Sequence, residues 1–158
     1  MIHNKWTDVN WKNVDDNTAN SGTAFTSAPI TAGNNSYTKY QYGRFTGTFT
    51  QILSCLWSAN VGGALATGLT LAGTVTSTYA TPSTTTNAAL TTPFTSGVAI
   101  GSGLAVNFST TGPYGGSPTS TLGAAGYTQY LASQLQTSSS AAAGNTATVT
   151  TELQYSEN

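Results

Sequence analysis

Leu69-Thr70-Leu71-Ala72-Gly73-Thr74-Val75-Thr76-Ser77-Thr78-Tyr79 reads with a period of two. Leu69, Leu71, Val75 and Tyr79 fall on one side and small or hydroxyl residues on the other, the pattern of a half-buried strand. Thr81-Pro82 marks its end, because proline has no N–H to give a ladder. Upstream, Phe45, Phe49, Leu53, Cys55 and Trp57 share one parity of a long extended stretch that begins near Tyr37. Arg44, Thr46, Thr48 and Thr50 take the other parity, and Gly43 and Gly47 predict bulges or bends within it. Gly62-Gly63 predicts a turn.

Downstream, Val98, Ile100, Leu104, Val106 and Phe108 alternate with Ala99, Gly101, Gly103, Ala105 and Asn107, which predicts one strand covered on both faces. Tyr127, Tyr130, Leu131 and Leu135 fit one face of a helix, whereas Tyr127, Leu131 and Leu135 also fit strand parity. The β context favours the strand. Ala141 to Asn145 reads as a turn, and Ala147, Val149, Leu153 and Tyr155 alternate with Thr146, Thr148, Thr150, Glu152 and Gln154 as a closing strand. Two stretches read as long loops, one rich in Thr, Ser and Pro up to Gly97 and one from Thr110 to Gly126.

Composition agrees with this pattern. Thr, Ser, Gly and Ala make up more than half of the 158 residues; Thr suits strands, while Gly and Ser suit turns. Leu, Ile, Val and Phe are sparse, but eight Tyr and three Trp enlarge the surface that folding can bury. The expected fold is all-β: a two-sheet antiparallel sandwich, jelly-roll or Ig-like, of one domain length, with an extended N-terminal arm and long loops. The arm or edge segment is residues 1–35 and the sandwich domain is residues 36–158.

Charge is the second informative feature. From Phe45 to Thr151 there is no Asp, Glu, Lys, Arg or His. Acid–base and metal chemistry need those side chains, so a structural chain without enzymatic activity is expected, with no cofactor, metal or catalytic residue. The formal net charge is −1 and only 6% of residues are charged. Chains near neutrality tend to associate, so much of the surface is expected to be covered by copies of the chain or by a partner. Four basic residues are too few to neutralise a useful number of phosphates, which argues against nucleic acid.

The opening Met1-Ile2-His3-Asn4-Lys5-Trp6 lacks the apolar core of a secretory signal, and nothing approaches a membrane span. Synthesis in a cytoplasm without export, and no membrane partner, are the expectations. Cys55 has no second cysteine to pair with and lies in the apolar run Ile52 to Trp57. It reads as a small buried hydrophobe rather than a reactive thiol.

Candidate partner contacts come from the residues that the core pattern does not absorb. Trp6 and Trp11 stand among polar neighbours in the first 35 residues, which also hold His3 and most of the charges. They belong either to an edge strand whose aromatics tuck into the sandwich or to an arm that anchors on a neighbour. Lys39 and Arg44 are the only basic residues after the arm and are candidates for setting register between subunits through Asp15, Asp16 or a neighbour's Glu152. Tyr114 in the second long loop and Tyr155 in the closing strand complete the interface candidates.

Asp8, Asp15, Asp16 and the nearby Asn residues lack the spacing of a calcium loop and read as a solvated arm. The Thr rows at 70, 74, 76, 78 and 146, 148, 150 lack the regular ranks of an ice-binding face. Tyr37, Tyr40, Tyr42, Tyr114 and Trp57 are residues that can stack on sugars, although packing in cores and interfaces is the commoner use of aromatics.

Several stretches resemble small accessory proteins of tailed-bacteriophage virions: Asn35-Ser36-Tyr37-Thr38-Lys39-Tyr40, Phe45-Thr46-Gly47-Thr48-Phe49-Thr50-Gln51-Ile52 and Tyr79-Ala80-Thr81-Pro82-Ser83. Gly126-Tyr127-Thr128-Gln129-Tyr130 through Gln134-Leu135, and the ending Val149 to Asn158, complete the similarity over about residues 35–158. The resemblance implies a β-sandwich on the capsid exterior, bound to the major capsid protein, often as a homotrimer between capsomers. A capsid decoration, or cement, protein is the expectation; a tail, neck or fibre component and a carbohydrate-binding module are the alternatives. No specific binding residue carries over from it.

Overall fold

The computed structural model describes residues 9–13, 31–36, 38–61, 65–79, 103–112, 117–143 and 149–158. Ten strands and no helix are found among them: β1 (Val9–Asn13), β2 (Lys39–Phe45), β3 (Ile52–Val61), β4 (Leu69–Thr76), β5 (Leu104–Ala105), β6 (Phe108–Ser109), β7 (Thr121–Leu122), β8 (Gly126–Thr128), β9 (Tyr130–Thr137) and β10 (Val149–Glu157). They form two antiparallel sheets. One holds six strands in the order β4-β9-β2-β8-β6, with β1 on β2; the other holds four, β10-β3-β5, with β7 also on β3. This is the expected β-sandwich.

The alternation that identified Leu69 to Tyr79 places β4 as predicted, but the strand ends at Thr76, and Tyr79 beyond it packs with Tyr40 and Tyr130 rather than on the Val75 side. Leu71 is buried, and Val75 packs against the core between the sheets. Phe45, Phe108 and Leu131 enter that core from the six-stranded sheet; Ile52, Cys55, Trp57, Leu153 and Tyr155 enter from the other. Interior side chains of two facing sheets must interdigitate at crystal-like density, and aromatic rings dominate the filling here.

The structure corrects the sequence reading of the strands in several places, while the bend predicted at Gly47 is present. The extended stretch from Tyr37 to Trp57 is two strands in different sheets, joined by Thr46–Gln51, where Gly47 takes φ 112°. Its parity also fails: Ile52, not Leu53, is the core residue. Ser54 adopts φ 55°, and Ser54 and Cys55 together oppose Tyr155, because the register steps from Leu53↔Ser156 to Leu56↔Gln154. That extra residue is a β-bulge, and it shifts the phase of everything before it.

The predicted single strand ending at Phe108 is split, with β5 joining one sheet and β6 the other; its residues 98–102 lie outside the described residues. The segment 110–126, expected as loop, carries β7, and Thr119 bridges Phe108. The stretch Tyr127 to Leu135 is strand, as the β context favoured. It too is bulged, because Arg44 faces Tyr127 whereas Gln41 faces Leu131, one residue more on the β8–β9 side. Tyr127 therefore lies on the sheet face opposite Leu131.

Hydrogen bonds fix this second bulge. Gly43 N–H donates to Thr128 Oγ1 at 2.9 Å, and Thr128 Oγ1 donates to the Gln129 carbonyl at 2.7 Å. Gln129 N–H donates to the Asn107 carbonyl, and Gln129 Oε1 accepts from Asn107 N–H. Its Nε2 donates to Ser77 Oγ at 2.8 Å, tying the end of β4 to the β5–β6 link. Residues 31–35, assigned to the arm by sequence, run beside β9 together with Ser36. Ser36 N–H donates to the Leu135 carbonyl, Thr137 N–H to the Asn34 carbonyl, and Asn35 bridges Gln136.

Candidate functional site: the tyrosine face of the larger sheet

The pleat sends alternate residues of β2 to opposite faces. Gln41, Gly43 and Phe45 face the second sheet, so Tyr40, Tyr42 and Arg44 face away from it. Register brings matching residues of the neighbouring strands alongside. Ala132 lies opposite both Tyr40 and Thr74, Tyr130 opposite Thr76, and Tyr127 opposite both Arg44 and Ser109. Tyr79 joins them from beyond β4.

The face divides into two parts. Tyr40, Tyr79 and Tyr130 form a closed cluster over Ala132, with ring centroids 5.0, 5.8 and 6.0 Å apart. Tyr40 and Tyr130 are buried there, and edge-to-face contacts of this kind contribute about 0.5–1.5 kcal/mol beyond area burial. The second part is open. Tyr42 and Tyr127 are half-buried with centroids 6.0 Å apart, and the exposed Arg44 holds its guanidinium carbon 5.7 Å from the Tyr127 ring centre. That is cation–π range.

The sequence-predicted residues fall in different places. Arg44 is at the open end. Lys39 begins β2 opposite Ser133, and Trp11 stands in β1 opposite Gly43. Trp6, Tyr37, Tyr114, Asp15 and Asp16 lie outside the described residues. Tyr155 is only 3% exposed and packs inside this chain, because the alternation of β10 puts it on the core side with Leu153. Trp57 is fully buried in the same core, so neither ring presents a stacking surface. Tyr127, overlooked as a surface residue, has no signal in sequence parity; the bulge puts it on the outer face.

Cys55 is buried, and desolvation pushes its thiol up to about 12, so the nucleophilic thiolate is scarce at neutral pH. No three His, Cys, Asp or Glu side chains gather into a metal-binding group among the described residues. No family model, curated protein or solved structure matches the chain.

Proposed function

We propose that this chain is a structural protein of a tailed-bacteriophage virion, a capsid decoration protein on the shell exterior that bridges neighbouring capsid subunits. One observation carries the reading. Seven of the ten described strands, β3 to β9, come wholly from a stretch without Asp, Glu, Lys, Arg or His, so their surface is hydrated by hydroxyls and amides and suits a crowded lattice. The likeness of residues 35–158 to phage accessory proteins supplies the setting. Its partners on this reading are the major capsid protein and further copies of itself, as a homotrimer.

The work is mechanical rather than enzymatic. Contacts that bury apolar area at about 25 cal/mol per Å² add up over many copies, so pressure must break them before the shell opens. Copy number tests the assignment. Quantitative mass spectrometry of purified particles is expected to find on the order of hundreds of copies, as closed shells repeat each site by symmetry; about a dozen would reassign the chain to the neck or tail.

A second reading, a carbohydrate-binding module, draws on the half-buried Tyr42, Tyr79 and Tyr127 of the outer face. A glycan array decides it: binding lost on Tyr42→Ala and Tyr127→Ala would favour sugar recognition over shell cement.

A further inference from the structure

Tyr127 and Tyr130 lie three residues apart, and in an unbroken strand the pleat would send them to opposite faces. Both nonetheless stand on the outer face, Tyr127 opposite Arg44 and Tyr130 opposite Thr76. The extra residue between β8 and β9 makes the difference, since a bulge re-aims the side chains beside it. A bulged residue is left out of the regular ladder, so its polar groups must be satisfied some other way. Gln129 meets that need with its side chain. Its carbonyl accepts from Thr128 Oγ1 at 2.7 Å, and its own N–H donates to the Asn107 carbonyl at 2.9 Å. Its side-chain Oε1 then does what the carbonyl would do in a ladder, accepting from Asn107 N–H at 3.1 Å.

The other end of the amide reaches a third segment, as Nε2 donates to Ser77 Oγ at 2.8 Å just past β4. Asn107 lies between β5, in the smaller sheet, and β6, in the larger one. One side chain therefore joins the start of β9, the crossing between the sheets and the end of β4. We infer that Gln129 is the positioning residue of the tyrosine face, its side-chain amide fixing the bulge that turns Tyr127 outward. Without that turn Tyr127 could meet neither the Tyr42 ring, 6.0 Å away between centroids, nor Arg44, whose guanidinium carbon is 5.7 Å from its ring centre. Gln129 acts through Tyr127, as supporting hydrogen bonds do when they hold a contact residue in place. The consequence for binding rests on the capsid reading; the geometry of the bulge does not.

The test compares the full chain with Gln129→Leu, Gln129→Glu and Ser77→Ala. Nuclear Overhauser contacts between the Tyr42 and Tyr127 rings report the outward turn, and those between Tyr40 and Tyr130 report an intact sheet. Leucine fills a similar volume without hydrogen bonds, so Gln129→Leu should lose the first contacts and keep the second. Glutamate retains an acceptor for Asn107 N–H and can accept from the Ser77 hydroxyl, so Gln129→Glu should restore them. Ser77→Ala removes one partner of the amide at a half-buried position and should speed hydrogen exchange at Asn107 N–H; it decides the matter if Gln129→Leu does not fold. Tyr42–Tyr127 contacts that persist in Gln129→Leu, or that Gln129→Glu loses equally, would overturn the inference, as would unchanged Asn107 exchange in Ser77→Ala. Added back to particles assembled without the protein, Gln129→Leu should lose about tenfold in affinity, as Tyr127→Ala should, the scale of an interface anchor. Failure of wild-type protein to bind any particle would sink the capsid reading alone, since the ring contacts are read on the free chain. Particle binding that Tyr127→Ala weakens and Gln129→Leu does not would overturn the inference alone.

Discussion

The ring of Tyr155 meets the ring of Phe45 edge-on across the sandwich, with centroids 5.1 Å apart and planes at 90°. Phe45 in turn meets Phe108 at 5.6 Å and 80°, so three aromatics from β10, β2 and β6 bind the sheets together. Phe45→Ala is expected to cost about 3–5 kcal/mol, the range for truncating a buried aromatic. In a double-mutant cycle with Tyr155→Ala the two losses should fail to add, because the residues touch. Urea denaturation checks both; additive losses would show that the ring contact carries no energy of its own.

Ser54 holds φ 55° at the bulge, a conformation that costs an L-residue roughly 1–2 kcal/mol and glycine almost nothing. Ser54→Gly is therefore expected to leave stability equal or raise it by up to about 1 kcal/mol, part of the relief being offset by glycine's freedom in the unfolded chain. Ser54→Val should lower it by about 1–2 kcal/mol through β-branched strain in the same place. Thermal melts of the pair would separate a strained bulge from an ordinary exposed serine.

Burial raises the Cys55 thiol to about 12 from an ordinary value of 9.0. Below pH 9 the thiol is protonated in both folded and unfolded chains and contributes no pH dependence. Between about 9 and 12 the unfolded chain sheds the proton while the folded chain keeps it, so stability should fall as pH rises through that window. Cys55→Ala should flatten that part of the profile while lowering stability through lost packing. A thiol reagent should label Cys55 only on unfolding; rapid labelling of the native chain would contradict its burial.

Gly126 is a packing requirement rather than a turn signal. A Cβ there would sit 2.6 Å from Leu122 Cδ1 and 2.8 Å from the Ser109 carbonyl oxygen. Gly126→Ala is expected to cost about 1–3 kcal/mol, as overpacking generally does. Calorimetry would read the loss as a lower melting temperature.

The fold class was legible in the chain because alternation from Leu69 to Val75 and from Val149 to Tyr155 runs unbroken; past Thr76, where β4 ends, Tyr79 changes face. What stayed hidden lies at two bulges. Ser54 occupies a left-handed position where sequence patterns lead one to look for glycine or asparagine, so Leu53 was placed in the core instead of Ile52. The bulge at Thr128 and Gln129 likewise turned Tyr127 outward. Of the candidate site, Arg44 and the outward parity of Tyr40 and Tyr42 were readable from β2 alone. Their meeting with Tyr79, Tyr127 and Tyr130 depends on which distant strands pair, and local pattern carries no information about that.

The strand order has a kinetic consequence. Among the described strands, apart from β1 and β2, no two consecutive ones pair with each other, and even those are separated by residues 14–38. β3 waits for β10, and β2 and β4 wait for β9. Each pairing must first close a long span of chain, an entropic toll that hairpin-rich sandwiches avoid. Refolding should accordingly be slow, on the order of milliseconds to seconds, with most sheet appearing only after residues beyond 126 have been synthesised.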